Sequence, residues 1–413
     1  MAYSPNCLAF LFVLFCVKAN AQIPILSDMQ THMEAHLAWK IFYNPAPDVD
    51  TTEIPHDLTY KHARKQTNYE PFLRASGVNV IYTAAYANLW RGKKSIIKQL
   101  NYIERFQKKY SEYYALCKNP DEVREAIKNN KIALVQSIEG AHKLIKKPED
   151  AQFWADKGVA LITPIHLGDK EFGGSNIMPG FNGFLVNARG VIKRMFFPNK
   201  RGLTKKGKEV IKWIAQAGIM VDLSHMSQKS AHEALGILDQ LNVPPVVTHG
   251  HMLSLKHTDA ELPDSSILKI YKRGGIYGIV LNSQALEPYK GYQLPENYCP
   301  GTIDAFILNY QYLTAMLKKN GISDDAIAIG WAGDFNGMVN HLKPKYGECG
   351  CFPDSSYHGQ YPTYATNGIT SPKSLNEFFK SVAETNVEMN YFNRSGERLL
   401  EIWNKYIIFG KSK

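Results

Sequence analysis

Residues able to bind a cation or move a proton recur where short apolar runs end. Pro24–Thr31 runs into His32-Met33-Glu34, Ile132–Ile138 into Glu139, Ala160–Ile165 into His166, Ile219–Leu223 into Ser224-His225, Pro245–Thr248 into His249, and Ala326–Gly330 leads to Asp334. Imidazole nitrogens and carboxylate oxygens suit a borderline cation such as zinc, and a catalytic site keeps one position open for water. Two such ions, about 3.5 to 4 Å apart, need a bridging carboxylate and share a hydroxide made nucleophilic by its lowered pKa. Glu139 stands on a different run from the histidines, where a bridge is needed. His32 and Glu34 are two residues apart, so a strand continued through them would turn both side chains to one ion. Asp334 offers a ligand and a base that takes a proton from water and passes it to a leaving amine. A single strand-end histidine is ordinarily a hydrogen-bonded structural group. Six run ends carrying such groups together point to metal-dependent hydrolysis.

The elements that must position these residues follow from the same runs. With Val78–Ala84 and Gly275–Leu281 there are eight β-branched apolar runs, alternating with amphipathic stretches such as Lys93–Tyr110, Thr204–Ala217, Gln228–Leu241 and Ile303–Lys319. Thr204 reads as an N-cap and Gly218 as a C-terminal stop. This alternation predicts an α/β fold, a single-domain (β/α)8 TIM-like barrel with long loop insertions, in preference to a doubly wound open sheet. Barrel chemistry sits at the carboxyl ends of the strands, where these residues fall. The longest insertion, Leu167–Gly202, is rich in Gly, Asn and Phe and suits a lid or substrate-facing loop.

With 413 residues, 45% of them hydrophobic, and no low-complexity tract, the chain has ample core for one globular body. Lys and Arg exceed Asp and Glu by 48 to 38. The lysines are scattered in small sets beside helical stretches without a nucleic-acid motif, so a solvated basic surface is expected and a nucleic-acid partner is not. Cys7–Val17 is too short to span a bilayer and ends in Ala19-Asn20-Ala21, a pattern of a signal peptide over residues 1–21 and a mature domain over 22–413. Export to a periplasmic or extracellular space is expected, with no stable membrane span; lipid attachment at Cys16 is less favoured because Phe15 precedes it. Cys117, Cys299, Cys349 and Cys351 would remain, and in an oxidising compartment their pairing stays open among the possible connectivities.

At Ser137-Ile138-Glu139-Gly140-Ala141-His142, Gly218–Ser227, Pro245–His249 and Gly333-Asp334-Phe335 the sequence resembles the membrane (renal) dipeptidase family, zinc peptidases of the amidohydrolase superfamily built on a (β/α)8 barrel. The likeness covers nearly all of the chain after residue 21. It implies two zinc ions: His32 and Glu34 bind the first, Glu139 bridges, His225 and His249 bind the second, and Asp334 is ligand and general base. It implies that His166 steadies the tetrahedral oxyanion and contacts a small dipeptide-like substrate, and it allows a homodimer. Four departures stand out: Glu34 where the family has aspartate, Ala260 where it has a carboxylate-binding arginine, Asn336 where it usually has a second aspartate, and an altered segment at Ser395–Leu399. Lys256 or His257 would replace the arginine, without its bidentate geometry. An exported dipeptidase-like metallohydrolase is therefore expected. The alternatives are a catalytically weak metal- or ligand-binding relative and a hydrolase of lactams or carboxyl-blocked amides.

Overall fold

The apolar runs become parallel strands because a sheet covered on both faces needs unbroken apolar segments rather than alternating ones. The computed structural model describes residues 25–34, 37, 47–48, 68–87, 92–177, 180–197, 200–256, 262–360, 362–385 and 387–412. The segment 1–21, His36, His257 and Ala260 lie outside them. The strands are β1 (Ser27–Thr31), β2 (Val80–Tyr86), β3 (Tyr114–Cys117), β4 (Ile132–Glu139), β5 (Val159–Thr163), β6 (Met220–Val221), β7 (Val246–Gly250), β8 (Ile276–Val280) and β9 (Ile329–Ala332). They pair in the order β6-β5-β4-β2-β1-β9-β8-β7, every pair parallel. A parallel bridge between Asp222 and Val246, with Leu223 N donating to Val246 O at 2.9 Å, joins the two ends of this order. The result is the expected (β/α)8 barrel, nearly closed with eight strands.

The eight expected runs are these barrel strands with their ends moved by up to three residues. The ninth strand, β3, was not expected. It pairs only with the first half of β4, Tyr114 opposite Ile132 to Cys117 opposite Val135, and β5 takes over the same edge from Gln136 onward. Four residues with two of them half-buried carry too little periodicity to be read as a strand. The helices Gln228–Leu241 and Ile303–Lys319 match the expectation residue for residue. Thr204 Oγ1 accepts from Gly207 N at 3.0 Å, the N-cap expected of it, and Gly218 turns the chain at φ +77°. The barrel interior is filled to the point that glycine is required. Gly330 pairs with Gly278 on the neighbouring strand, and a Cβ at Gly330 would sit 2.2 Å from the buried Met29 sulfur.

The insertion after β5 is ordered by its own helix, Gly180–Phe196, broken at Asn187 (φ −140°, ψ 52°). Asn187 caps the second half by accepting from Gly190 N at 2.9 Å. Cys299 and Cys351 form a disulfide, bridging the loop after β8 to the loop after β9, while Cys117 and Cys349 are free thiols.

Candidate metal centre

Glu139 ends β4 with its carboxylate among four imidazoles. Its Oε1 lies 3.0 Å from His225 Nε2 and 3.9 Å from His249 Nε2. Its Oε2 lies 3.3 Å from His32 Nε2 and 3.5 Å from His166 Nε2. Asp334 Oδ1 is 3.3 Å from the same His32 nitrogen, and the Nε2 atoms of His225 and His249 are 2.8 Å apart. One carboxylate oxygen thus faces two histidines and the other faces two more, the two-sided placement a bridging ligand needs. All of these groups come from the carboxyl ends of β1, β4, β5, β6, β7 and β9.

Neighbouring strands hold each group in place. His32 Nδ1 donates to Ala84 O at 2.7 Å, which turns Nε2 toward the carboxylates. Asp28 Oδ1 accepts from Gly333 N at 2.9 Å, and Asp334 N donates to Gln30 O at 2.8 Å, so β1 positions the turn that carries Asp334. Asp334 and His225 both sit at positive φ, +49° and +63°. Such backbone costs about 1 to 3 kcal/mol per non-glycine residue and persists only when surroundings over-determine it. For His225 the restraint is the insertion: Asn176 N donates to His225 O at 2.7 Å, and Asn176 Nδ2 lies 3.5 Å from His225 Nδ1. At the seam between β6 and β7, buried Asp222 accepts five hydrogen bonds of 2.7 to 3.0 Å, from Thr163 Oγ1, Ser224 N and Oγ, and Thr248 N and Oγ1. Thr248 Oγ1 is in turn 2.9 Å from His249 Nδ1.

Of the residues singled out in the sequence, His32, Glu139, His166, His225, His249 and Asp334 converge. Glu34 follows a different course. β1 ends at Thr31, and Met33 and Glu34 lie in a turn, so the strand alternation that would pair His32 with Glu34 does not continue. Both Glu34 carboxylate oxygens are buried with no hydrogen-bond partner among the described residues. Lys256 stands on the loop after β7 with its ammonium on the Gln284 carbonyl. Asn336 donates to Asp334 Oδ1 at 3.1 Å and accepts from Met338 N at 2.8 Å, a donor role that an aspartate at this position would not fill. His142 is buried beside the site, and burial holds its imidazole down at about 4. The sequence reading missed Gln30, whose Nε2 is 3.3 Å from His32 Nε2, and Tyr86, whose ring meets those of His166 and His32 edge-on at centroid distances of 5.1 and 6.4 Å. Gln30 was legible through the two-residue strand period ending at His32. Asn176 was not, because nothing local to the insertion ties it to His225.

The field at the cluster favours positive charge. Burial pushes the His32 imidazole down, but hydrogen bonds to Asp334 and Glu139 outweigh it and hold the ring well above its usual range. Burial works against the Glu139 carboxylate, yet the surrounding His166, His225 and His32 hold it well below the usual carboxylate range. His225 is raised because its bond to Glu139 overcomes burial; His249 is lowered by burial and by His225. Burial holds His166 neutral. Glu34 is pushed by burial up to about 8. A buried carboxylate without a donor among the described residues, beside carboxylates that concentrate protons on imidazole nitrogens, is the environment a divalent cation satisfies. The donor set of nitrogen and oxygen atoms fits zinc or a related borderline ion, and Glu139, His166 and His225 have ligand atoms within 4.8 Å of one another.

A parallel barrel with imidazoles and carboxylates at its carboxyl end is the architecture of barrel metallohydrolases. A family model for the membrane dipeptidases, peptidase family M19, matches residues 27–344, and the chain belongs to that family. Among solved structures, the metallopeptidase dipeptidase AC of family M19 matches with a TM-score of 0.65 at 13% identity, over 94% of this chain and 100% of that one. A Rhodobacter sphaeroides metallopeptidase liganded with a phosphinate mimic of L-Ala-D-Ala matches at TM-score 0.64 and 13% identity, over 93% and 100%. An uncharacterized dipeptidase of Schizosaccharomyces pombe is 22% identical over 242 residues, 59% of this chain and 51% of that protein. The chain spans about half the length of the curated relatives it matches.

Proposed function

We propose that the protein is an exported zinc-dependent hydrolase of dipeptides or dipeptide-like small amides, with a binuclear site. The observation that carries this reading is the Glu139 carboxylate, 3.0 Å from His225 on one oxygen and 3.3 Å from His32 on the other. His32 and Asp334 would hold one ion, joined from the turn after β1 by Glu34, whose buried carboxylate has no hydrogen-bond partner among the described residues; His225 and His249 would hold the other, and Glu139 both. Bound there, the ions would supply Lewis acidity and lower the pKa of a water molecule.

The chain's own groups supply the remaining steps. Asp334 Oδ1 is engaged by Asn336 and faces His32, so Oδ2 is the oxygen left to accept a proton from the attacking water and return it to the leaving amine. His166, held neutral by burial and braced by the Tyr86 ring edge, donates an N–H to the oxyanion of the tetrahedral intermediate. Asn176, from the insertion after β5, orients His225. Export is supported by the Cys299–Cys351 disulfide, since such bonds persist in oxidising compartments.

The test is to measure the zinc content of the purified chain and its hydrolysis of a dipeptide panel. Activity surviving both exhaustive chelation and His225→Ala would remove the metal mechanism. A second reading, hydrolysis of amides whose carboxyl is blocked, is favoured by the engagement of Lys256 with Gln284 O, which leaves its ammonium poorly disposed toward a substrate carboxylate. Comparing free with C-amidated dipeptides separates the two: strong preference for the free acid rejects the second.

A further inference from the structure

A helix on a protein surface ordinarily turns its polar side to water and its apolar side to the core. In the part of the insertion helix Gly180–Phe196 whose side chains are described, large apolar groups face solvent instead. Its inward side is held by polar groups: Asn187 Nδ2 donates to Asp169 Oδ1 at 3.2 Å and to Ser175 Oγ at 3.0 Å, and Asp169 pairs with Lys193 at 3.7 Å and Arg201 at 3.6 Å. Its outward side carries Ile192, Met195 and Phe196, at the i, i+3, i+4 spacing of one helical stripe, followed by Phe197, with 48, 67, 67 and 50% of their surfaces exposed. Of the nine large apolar side chains exposed among the described residues, five lie at 184–197, and Tyr289, Leu294 and Met338 lie on loops after β8 and β9 at the same end of the barrel.

Charge accompanies this apolar stripe. Between Phe172 and Lys208 there are eight Lys and Arg and no Asp or Glu, leaving 40 basic against 38 acidic residues in all the rest of the chain. Lys193 and Arg201 are engaged by Asp169, and Lys208 pairs with Glu233. Arg189, Arg194 and Lys200 are exposed among the apolar residues, Lys200 lying 4.6 Å over the Phe197 ring.

We propose that this face docks the protein on an anionic lipid surface, with Met195, Phe196 and Phe197 entering the interface and Arg189, Arg194 and Lys200 meeting the headgroups. Exposed aromatic and aliphatic side chains flanked by cations are what an interfacial helix needs, and neither component alone gives stable binding. A second copy of this chain fits worse, because a twofold contact would set the same cations against each other. Nucleic acid fits worse because the centre of the face is apolar. No helix among the described residues is long and apolar enough to cross a membrane, so the contact is peripheral. It would set the mouth of the barrel, rather than its amino-terminal end, against the lipid.

The test uses the full chain and vesicles of phosphatidylcholine with or without 30% phosphatidylglycerol, about a third anionic lipid, a surface charge that attracts basic segments. Three proteins are compared by co-sedimentation: the parent, an apolar-face variant (Ile192→Ser, Met195→Ser, Phe196→Ser, Phe197→Ser) and a charge variant (Arg189→Glu, Arg194→Glu, Lys200→Glu). Thermal unfolding verifies that all three are folded. We expect the parent to prefer anionic vesicles and both variants to bind them at least tenfold more weakly. In Phe196→Trp, brominated lipid should quench emission beyond the background of the parent tryptophans. Equal binding by parent and variants overturns the proposal by placing the contact elsewhere, for example at the apolar run Cys7–Val17. So does equal binding to neutral vesicles, absence of binding, a doubled mass in solution that the apolar-face variant abolishes, or tighter binding to duplex DNA than to the vesicles.

Discussion

The most informative single substitution is Asp222→Asn, which keeps shape while reversing the polarity of the two hydrogen bonds at Oδ2. In the parent, Thr248 Oγ1–H donates to Asp222 Oδ2 at 2.8 Å, so the hydroxyl oxygen is left to accept from His249 Nδ1–H at 2.9 Å. That fixes the tautomer in which His249 Nε2 carries the lone pair toward Glu139 and His225. An amide nitrogen at Oδ2 would instead donate to both Thr163 Oγ1 and Thr248 Oγ1. The Thr248 proton would then be free to donate to His249 Nδ1, and Nε2 would be protonated and unable to bind a cation. Ser224 N, Ser224 Oγ and Thr248 N keep their acceptor on Oδ1. All five bonds lose the roughly twofold advantage of an ionised acceptor, for a cost of about 3 kcal/mol, or about 3 to 4 °C in Tm for a chain of this length. Loss of an outer hydrogen-bond partner of a ligating histidine weakens metal binding about 10- to 100-fold. Competition titration against a zinc chelator and a Tm series measure both, and ¹⁵N shifts of labelled histidine read the tautomer directly. Thr248→Ser should retain parental zinc affinity and Thr248→Val should not. An Asp222→Asn protein that loses stability as expected but keeps zinc affinity and the Nδ1–H tautomer would refute the relay.

Glu34→Gln removes a buried carboxylate that has no hydrogen-bond donor among the described residues, so the metal-free protein should gain stability while the metal content per chain falls; a loss of metal-free stability would mean that the carboxylate is partnered. His341 is buried and held down at about 4, by burial first, against a usual 6.5. Its folded pKa is depressed, so the stability it contributes is complete above about 6.5 and is lost as pH falls toward 4, by at most roughly 3 kcal/mol at about 1.4 kcal/mol per pH unit. Unfolding free energies of the parent and His341→Gln measured from pH 7 to 4 should converge by that amount, and parallel curves would reject the assignment. Cys299 and Cys351 are 52 residues apart, which by loop-closure entropy sets the loss on Cys299→Ser/Cys351→Ser at about 4 kcal/mol; denaturant midpoints under non-reducing conditions check it.

The barrel and most of its site were legible along the chain because their physics is local. A parallel strand buried on both faces must be apolar throughout, so β4 is visible in Ile132–Glu139, and a group with catalytic chemistry at its end stands out against that background. Helix caps are equally local, and Thr204 and Gly218 marked both ends of one helix correctly. The pairing of Cys299 with Cys351, the course of Glu34 off the end of β1, the five bonds to Asp222 at the closing seam, the restraint of His225 by Asn176 and the outward apolar face of the insertion helix came only with the tertiary structure. Each of these depends on which distant segment lies across from a residue. Periodicity and residue type determine what a segment can bury and which chemistry it carries. Closing the barrel decides which donors, carboxylates and imidazoles face one another, and so which of them act together.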